Sequence, residues 1–240
     1  IEKVDSGAGV LFIVKNYSGD IMNFEMAAEM MTGTNETVLT NDDVAVEDSS
    51  FTTGRRGVAA TVIVEKIVGS LAECGGKLEE CKKLGDKVNK NSGTMGVAFS
   101  SCIVPAAGNP TFNLGVDEME FGVGIHGEPG RRRDKIKSAQ EITNELLNAI
   151  IEDLKPENKD EILLFVNGMG GTPLSELYIV YDNAKKMLDN NKIKIARSLV
   201  GNYCTSLEMQ GASITLTKLD AELVKHWDSA VHTAAMRWGM

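Results

Sequence analysis

The sequence predicts an α/β protein made of two α/β domains. Apolar runs typical of strands buried on both faces alternate with stretches of good helix formers along the 240 residues. Clear strands are scarce in the first part of the chain and frequent in the second, which places a domain boundary near Asn89–Gly93. Polar, glycine-rich segments follow the strands, and open α/β sheets bind their ligands at such strand ends.

Residues 1–90 are predicted to form the C-terminal part of a first α/β domain. The predicted elements are a buried strand at 9–16, a helix at 21–31, a weak strand at "TVLT" and two helices within 58–91 that separate at Gly75-Gly76. A parallel sheet needs several strands to bury such helices, and this stretch offers only one clear strand. We therefore expect a partial three-layer α/β/α domain.

Residues 91–240 are predicted to form a second, two-layer α/β domain with a mixed sheet. The predicted elements are a strand at 94–105, a strand within "EMEFGVGIHG", a helix at 138–154, a strand at 161–166 that runs into a glycine turn, a helix at 173–191, and strands within "KIKIARSLVGNYCTSL" and "GASITLTKLD". Ser138 stands three residues before Glu141, which predicts a capping box. Pro173 is expected at the first helical position, where its missing N–H costs nothing.

The composition disfavours several classes of function. The formal net charge of −9 argues against nucleic acid and anionic membranes as partners, because both attract clustered Lys and Arg. No apolar stretch approaches the roughly 18 residues of a membrane span, and the first residues lack a signal-peptide pattern. The four cysteines, Cys74, Cys81, Cys102 and Cys204, lack metal-ligand spacing. We expect reduced thiols and a cytoplasmic location.

His126 is the histidine with the most unusual surroundings. It lies in "EFGVGIHGEPG", where four glycines allow the backbone to approach a ligand closely. A neutral imidazole there is able to serve as base, metal ligand or nucleophile. His226 and His232 lie far along the chain without a matching ligand pattern, so a metal site is the weakest of the three. Residue spacing alone does not choose between the other two, or exclude an ordinary loop histidine.

Asp20 has two explanations that are compatible with each other. It follows a buried strand within "NYSGD", at the place where a carboxylate is held rigidly and faces a cleft. It also directly precedes the predicted helix at 21–31, which is the position of an N-cap.

Three other loops carry polar residues. Arg131–Arg133 is expected to be a solvated face, and "NGMGGTP" is either a plain strand-to-helix turn or a functional loop. The acids of the remaining loop are Asp42, Asp43, Glu47 and Asp48. Because they lack the alternating spacing and the glycine of an EF-hand loop, we expect a solvated turn rather than a metal site.

Six segments of the sequence follow one another in a fixed order, and their joint occurrence is highly specific for one protein family. They are "GVLFIVKNYSGDIMNFEMAAEM", "DDVAVEDSSFTTGRRGVAATVIVEKIVG", "VPAAGNPTF", "EMEFGVGIHGEPGRRR", "LFVNGMGGTPLSELYIVY" and "GNYCTSLEMQGASITL". Together they closely resemble the dihydroxyacetone-binding subunits of dihydroxyacetone kinases, and the resemblance spans essentially the whole chain.

The resemblance implies roles for three residues. The family's histidine in "GIHGEPG", here His126, adds through an imidazole nitrogen to the ketone carbon of dihydroxyacetone and gives a covalent hemiaminal. Glycerol lacks a carbonyl, so the bond itself selects the substrate. Asp20 matches the family's acid–base residue near the hydroxyl that receives phosphate. Lys15 in "VKNY" matches a residue of the substrate pocket; the alternative is a lysine that extends from the strand end to solvent.

The resemblance also implies partners. Phosphoryl transfer in the family needs a nucleotide-binding kinase subunit, or a fused domain, that holds ADP or ATP with magnesium, and no cofactor or metal is expected on this chain. The type that takes phosphate from a phosphotransferase system is favoured over the ATP-dependent type, because the sequence stops where the stand-alone subunit stops. A homodimer is expected. The family's N-terminal segment is missing here, including a glycine-rich loop with another substrate-contacting histidine.

Two alternatives to a kinase subunit stay open at this point. The family includes non-catalytic paralogues that bind dihydroxyacetone and act as coactivators of a transcription regulator. Asp20 favours the kinase, since a sensor needs the histidine but no base at the hydroxyl. A fragment with no activity of its own is the third possibility, because part of the family's pocket is absent from the sequence.

Overall fold

The computed structural model describes residues 1–45, 54–128 and 130–239. The strands are β1 Val10–Lys15, β2 Asn35–Thr40, β3 Ser92–Ala98, β4 Glu118–Phe121, β5 Arg132–Lys135, β6 Glu161–Gly168, β7 Lys194–Gly201, β8 Gly211–Leu219, β9 Val231–His232 and β10 Arg237–Trp238. The helices are α1 Ser18–Met30, α2 Ala60–Glu73, α3 Leu78–Lys90, α4 Ala139–Leu154, α5 Leu174–Asn190 and α6 Ala221–Asp228. The predicted α/β class is confirmed.

A six-stranded mixed sheet is the largest sheet of the described chain. Its strand order is β5-β4-β3-β8-β6-β7. Only β6 and β7 run parallel; the other neighbours are antiparallel. The prediction of a mixed sheet in the second part of the chain is therefore confirmed. In the first part, β1 and β2 form a separate parallel pair.

Alternate side chains of β6 pack against different groups of helices. Ile162, Leu164 and Val166 belong to a cluster with residues of α4 and α5. Leu163 and Phe165 belong to a second cluster with residues of α2, α3 and α6. The period of two residues in a strand sends successive side chains to opposite faces. Because both faces are covered, β6 reads as one continuous apolar run.

The second cluster contains residues from both sides of the predicted boundary near residue 90. Ile63, Ile67 and Leu84 come from α2 and α3, and they share this core with Phe165 of β6 and Trp227 of α6. The division of the chain into domains at this point stays a prediction.

Several predicted element ends differ from the observed ones. The strand predicted at 94–105 ends at Ala98, because its partner β8 begins at Gly211, directly opposite Ala98. The strand in "EMEFGVGIHG" ends at Phe121, so His126 lies in a loop. The α1 helix begins at Ser18 rather than at 21, and α5 begins one residue after Pro173. Short elements such as β5, α6, β9 and β10 were not predicted, since their sequences carry little periodic signal.

Other predictions match the structure closely. The break between α2 and α3 falls at Gly75-Gly76, and Ser138 with Glu141 forms the capping box at the start of α4. All four cysteines are free, and only Cys74 is exposed. Within the described ranges, no helix combines the length and the apolar character that a bilayer span requires.

Candidate functional site

His126 lies against the start of α1, where it meets Tyr17 and Asp20. The imidazole ring packs edge-on against the Tyr17 ring, with the ring centroids 3.9 Å apart. The Nε2 atom of His126 is 3.9 Å from Oδ2 of Asp20, and the two side chains are 46% and 37% exposed. The structure thus brings together two of the three predicted site residues on a surface that a small solute reaches.

The end of β1 places both Tyr17 and Asp20. Asn16 and Tyr17 follow the strand, Tyr17 keeps an extended backbone, and the helix begins at Ser18. Asp20 is therefore in the first turn of α1, where the partial positive charge of the helix N-terminus favours a carboxylate. The expectation that Asp20 is the N-cap is wrong: Tyr17 is the N-cap residue, and its side chain makes no capping hydrogen bond.

Glu128 connects the His126 loop with Tyr17. The backbone N–H of His126 donates to Oε2 of Glu128 at 3.1 Å. The Tyr17 hydroxyl donates to Oε1 of the same carboxylate at 3.2 Å. Burial, reinforced by the Glu128 carboxylate, raises the pKa of Tyr17 far above its ordinary value, so this phenol stays protonated and acts as a donor.

Arg56 completes the buried part of this arrangement. Its guanidinium donates to Oε1 of Glu128 at 3.1 Å, to Oδ2 of Asp43 at 2.7 Å and to the carbonyl oxygen of Gly122 at 2.5 Å. Burial acts to lower the pKa of Arg56, but Asp43 and Glu128 outweigh it, so the pKa rises. Arg56 and Glu128 were not predicted from the sequence as residues of the site. Glu128 is part of the "GIHGEPG" motif, which gave a reason to consider it. Arg56 lies in "TGRRG", where nothing in the local sequence indicates that this arginine is buried.

Two glycines of the loop are required by close packing. A Cβ atom on Gly124 would lie 1.7 Å from Oε1 of Glu128. Gly127 has a φ of +79°, and a Cβ atom there would lie 2.8 Å from the Cys102 sulfur. Glycine therefore allows the loop to pack tightly against the Glu128 carboxylate at position 124 and against Cys102 at position 127.

The acidic loop has a structural function at its described residues. Asp42 and Asp43 are buried, so the expectation of a solvated turn is wrong for both. Asp42 accepts hydrogen bonds from the backbone N–H groups of Val58 and Ala60, at the start of α2. Asp43 binds Arg56. The other two acids of that loop, at 47 and 48, lie outside the described residues.

Lys15 is the last residue of β1 and is half-buried. Its charge acts on Glu65 of α2: burial raises the pKa of Glu65, and Lys15 opposes that rise. The third predicted site residue is thus near the strand end that leads to Tyr17, and its assignment to a substrate pocket stays a prediction.

The two remaining loops have structural explanations. Arg131–Arg133 is exposed, as expected, and Arg132 and Arg133 form ion pairs with Glu145 and Glu120. In "NGMGGTP", Asn167 and Thr172 bond to the backbones of Cys204 and Gly211. These contacts favour a structural turn. In the described part of the chain, no three His, Cys, Asp or Glu side chains come together in a way that would hold a metal ion.

The sequence pattern of the Dak1 domain family matches residues 1–235. The chain belongs to the Dak1 domain family. This assignment confirms the resemblance seen in the sequence.

This Dak1 chain is 50% identical to the "PTS-dependent dihydroxyacetone kinase 1, dihydroxyacetone-binding subunit DhaK" of Listeria innocua, over 92% of this chain and 68% of the relative. It is 44% identical to the "PEP-dependent dihydroxyacetone kinase, dihydroxyacetone-binding subunit DhaK" of Escherichia coli K12, over 99% of this chain and 74% of the relative. It is 46% identical to the PTS-dependent subunit of Lactococcus lactis, over 100% and 73%.

Two solved structures share the fold of this Dak1 chain. The "Dihydroxyacetone kinase operon co-activator Dha-DhaQ" has a TM-score of 0.87 and 33% identity, covering 95% of this chain and 72% of the other. The dihydroxyacetone kinase of C. freundii has a TM-score of 0.86 and 29% identity, and the match covers 99% of this chain and 43% of the other.

Proposed function

We propose that this chain is the substrate-binding subunit of a dihydroxyacetone kinase and captures dihydroxyacetone covalently on His126. The observation that carries the proposal is the pairing of a partly exposed imidazole with a partly exposed carboxylate at the start of α1, with Nε2 of His126 3.9 Å from Oδ2 of Asp20. The names of the relatives at 44% to 50% identity support the choice of substrate.

The capture step is an addition in which no atom is lost. The lone pair of a neutral His126 imidazole nitrogen attacks the ketone carbon, and the electrons of the C=O bond move to oxygen. The alkoxide takes up one proton, and the other imidazole nitrogen releases one. The substituted nitrogen has no hydrogen left to lose, so the adduct stops at the hemiaminal and no Schiff base forms.

Asp20 then serves the hydroxyl that receives phosphate. Its carboxylate accepts the proton that the attacking alcohol must lose during phosphoryl transfer. A substrate bound to His126 has its hydroxymethyl arms within a few bonds of the imidazole, and the Asp20 carboxylate is 3.9 Å from the imidazole Nε2. Lys15 is assigned to the substrate pocket, where its ammonium group polarises a substrate oxygen.

The phosphoryl donor belongs to a partner subunit. We propose a nucleotide-binding kinase subunit that holds ADP with magnesium and is recharged by a phosphotransferase system. The names "PTS-dependent" and "PEP-dependent" of the bacterial relatives support this type over an ATP-dependent fusion. The coactivator alternative is less favoured, since the coactivator structure is 33% identical whereas the kinase subunits reach 50%.

A reconstituted assay tests the kinase assignment. The chain is mixed with dihydroxyacetone and a phosphorylated nucleotide-bearing kinase subunit, and dihydroxyacetone phosphate is measured. We expect product only when the chain is present, and we expect glycerol to compete poorly because it has no carbonyl. Adduct formation without any product in the complete mixture would favour the sensor over the kinase.

A further inference from the structure

Glu128 makes three hydrogen bonds that the proposed chemistry does not itself require. Its carboxylate is buried, and it accepts from the backbone of His126, from the Tyr17 hydroxyl and from Arg56. We propose that Glu128 is the positioning residue of His126, and that the Glu128–Arg56–Asp43 ion cluster holds the imidazole in the orientation that captures the ketone. This inference rests on the proposed function.

The Glu128 carboxylate controls both the backbone and the ring of His126. Oε2 holds the backbone N–H of His126 at 3.1 Å. Oε1 holds the hydroxyl of Tyr17, whose ring meets the imidazole edge-on at an interplanar angle of 86°. The backbone contact fixes where the side chain begins, and the Tyr17 contact limits how its ring turns. Together they direct Nε2 toward Asp20.

Arg56 in turn makes the Glu128 carboxylate rigid. The guanidinium is 1% exposed and reaches Asp43, Glu128 and the Gly122 carbonyl at the same time. A planar guanidinium presents its donors in a fixed geometry, and charge-assisted hydrogen bonds are stronger than neutral ones. Gly122 and Glu128 enclose the loop that carries His126, so one side chain holds both ends of that loop.

The location of the Glu128–Arg56–Asp43 cluster is explained better by a role in the addition reaction than by a contribution to stability alone. Buried ion pairs contribute little net stability compared with well-packed apolar residues, because desolvation offsets the attraction. Addition to a carbonyl, in contrast, depends steeply on the approach of the nucleophile, and a displacement of about 1 Å costs up to about a hundredfold in rate. A buried ion cluster that contacts a single exposed histidine meets this demand for a fixed approach of the nucleophile.

The test compares two single variants at the cluster, and the double variant that combines them, with one control. Glu128→Gln keeps the size of the side chain but loses the charge that holds Arg56. Tyr17→Phe keeps the ring contact and loses only the hydroxyl. His226→Gln changes a buried polar residue that bonds to Ser70 in another part of the fold. The rate of adduct formation is followed by NMR with dihydroxyacetone labelled with ¹³C at the carbonyl, and thermal unfolding is followed on the same samples.

We expect Glu128→Gln to lower the rate constant of adduct formation by about tenfold or more, and Tyr17→Phe to lower it less. The control keeps the wild-type constant even if its unfolding temperature falls equally. The losses at positions 17 and 128 are expected to be non-additive in the double variant, since both act through one carboxylate.

Adduct formation within twofold of wild type in a folded Glu128→Gln would overturn the positioning function. If that variant does not fold, the result for Tyr17→Phe decides instead. Where all the variants fold, strictly additive losses in the double variant would also count against the proposal. Absence of the adduct in the wild type would instead remove the proposed function itself, so the two failures are distinguishable.

Discussion

Asp20 and His126 are neighbours in space with separate assignments, one to the hydroxyl and one to the carbonyl of the substrate. Their side chains are close enough to act on one small molecule, with Nε2 and Oδ2 3.9 Å apart. Asp20 is in the first turn of α1 and is not the N-cap residue, so its carboxylate contributes to the helix only a favourable charge near the N-terminus.

Capture and transfer are therefore expected to separate in Asp20→Asn. The variant keeps the adduct but loses a factor on the order of 10² in phosphorylation rate, the usual contribution of a general base. Its stability changes by less than about 1 kcal/mol, because only the interaction with the helix N-terminus is lost. The exposed Glu25, further along α1, provides the control Glu25→Gln. Full phosphorylation activity in Asp20→Asn would contradict the assignment.

At the scale of elements, α2 and α6 meet through a buried histidine. Nδ1 of His226 lies 3.0 Å from the hydroxyl oxygen of Ser70. Burial, with a smaller contribution from Lys225, lowers the pKa of His226 below its ordinary value of 6.5. The folded protein therefore holds this histidine neutral in a range where the unfolded chain binds a proton.

This difference predicts how stability depends on pH. Above about pH 6.5 the contribution of the neutral contact is complete, and it is lost as the pH falls through the lower folded-state pKa. The free energy of unfolding should therefore decrease with acidification in this window. In His226→Gln, urea titrations at several pH values should show a smaller decrease, whereas the exposed His232→Gln should behave like wild type. An unchanged pH dependence in His226→Gln would contradict this account.

Elements were predictable from sequence where one local rule determined them. The Gly75-Gly76 break, the Ser138 capping box and the apolar run of β6 each depend on a few consecutive residues. The end of β3 depends on where β8 begins, which is more than a hundred residues away. The burial of Arg56 likewise depends on residues distant in sequence, since only the folded chain brings Asp43 and Glu128 to it. His126 and Asp20 were proposed from their loops, but the distance between them required the fold.

At the scale of the whole molecule, one apolar cluster joins both parts of the chain. Residues of α2 and α3 share it with Phe165 of β6 and with Trp227. The ring of Trp238 packs against that of Trp227, with centroids 5.8 Å apart. Both tryptophans of the sequence therefore report on this core.

A shared core predicts a single cooperative unfolding transition. Tryptophan fluorescence and far-ultraviolet circular dichroism should give the same midpoint in urea. Phe165→Ala should lower the stability by about 3–5 kcal/mol, because it empties a fully buried position, and both signals should shift together. The exposed Tyr178→Ala provides a control with little effect. Two separated transitions would show that the cluster does not couple the two parts.

The most direct test of the account is the mass of the intact protein after incubation with dihydroxyacetone at neutral pH. Addition without loss of water predicts a gain of about 90 Da, the mass of the ligand, and a Schiff base would give about 18 Da less. His126→Ala should abolish the gain, and His232→Ala should retain it. A gain of the same size in His126→Ala would contradict covalent capture on His126.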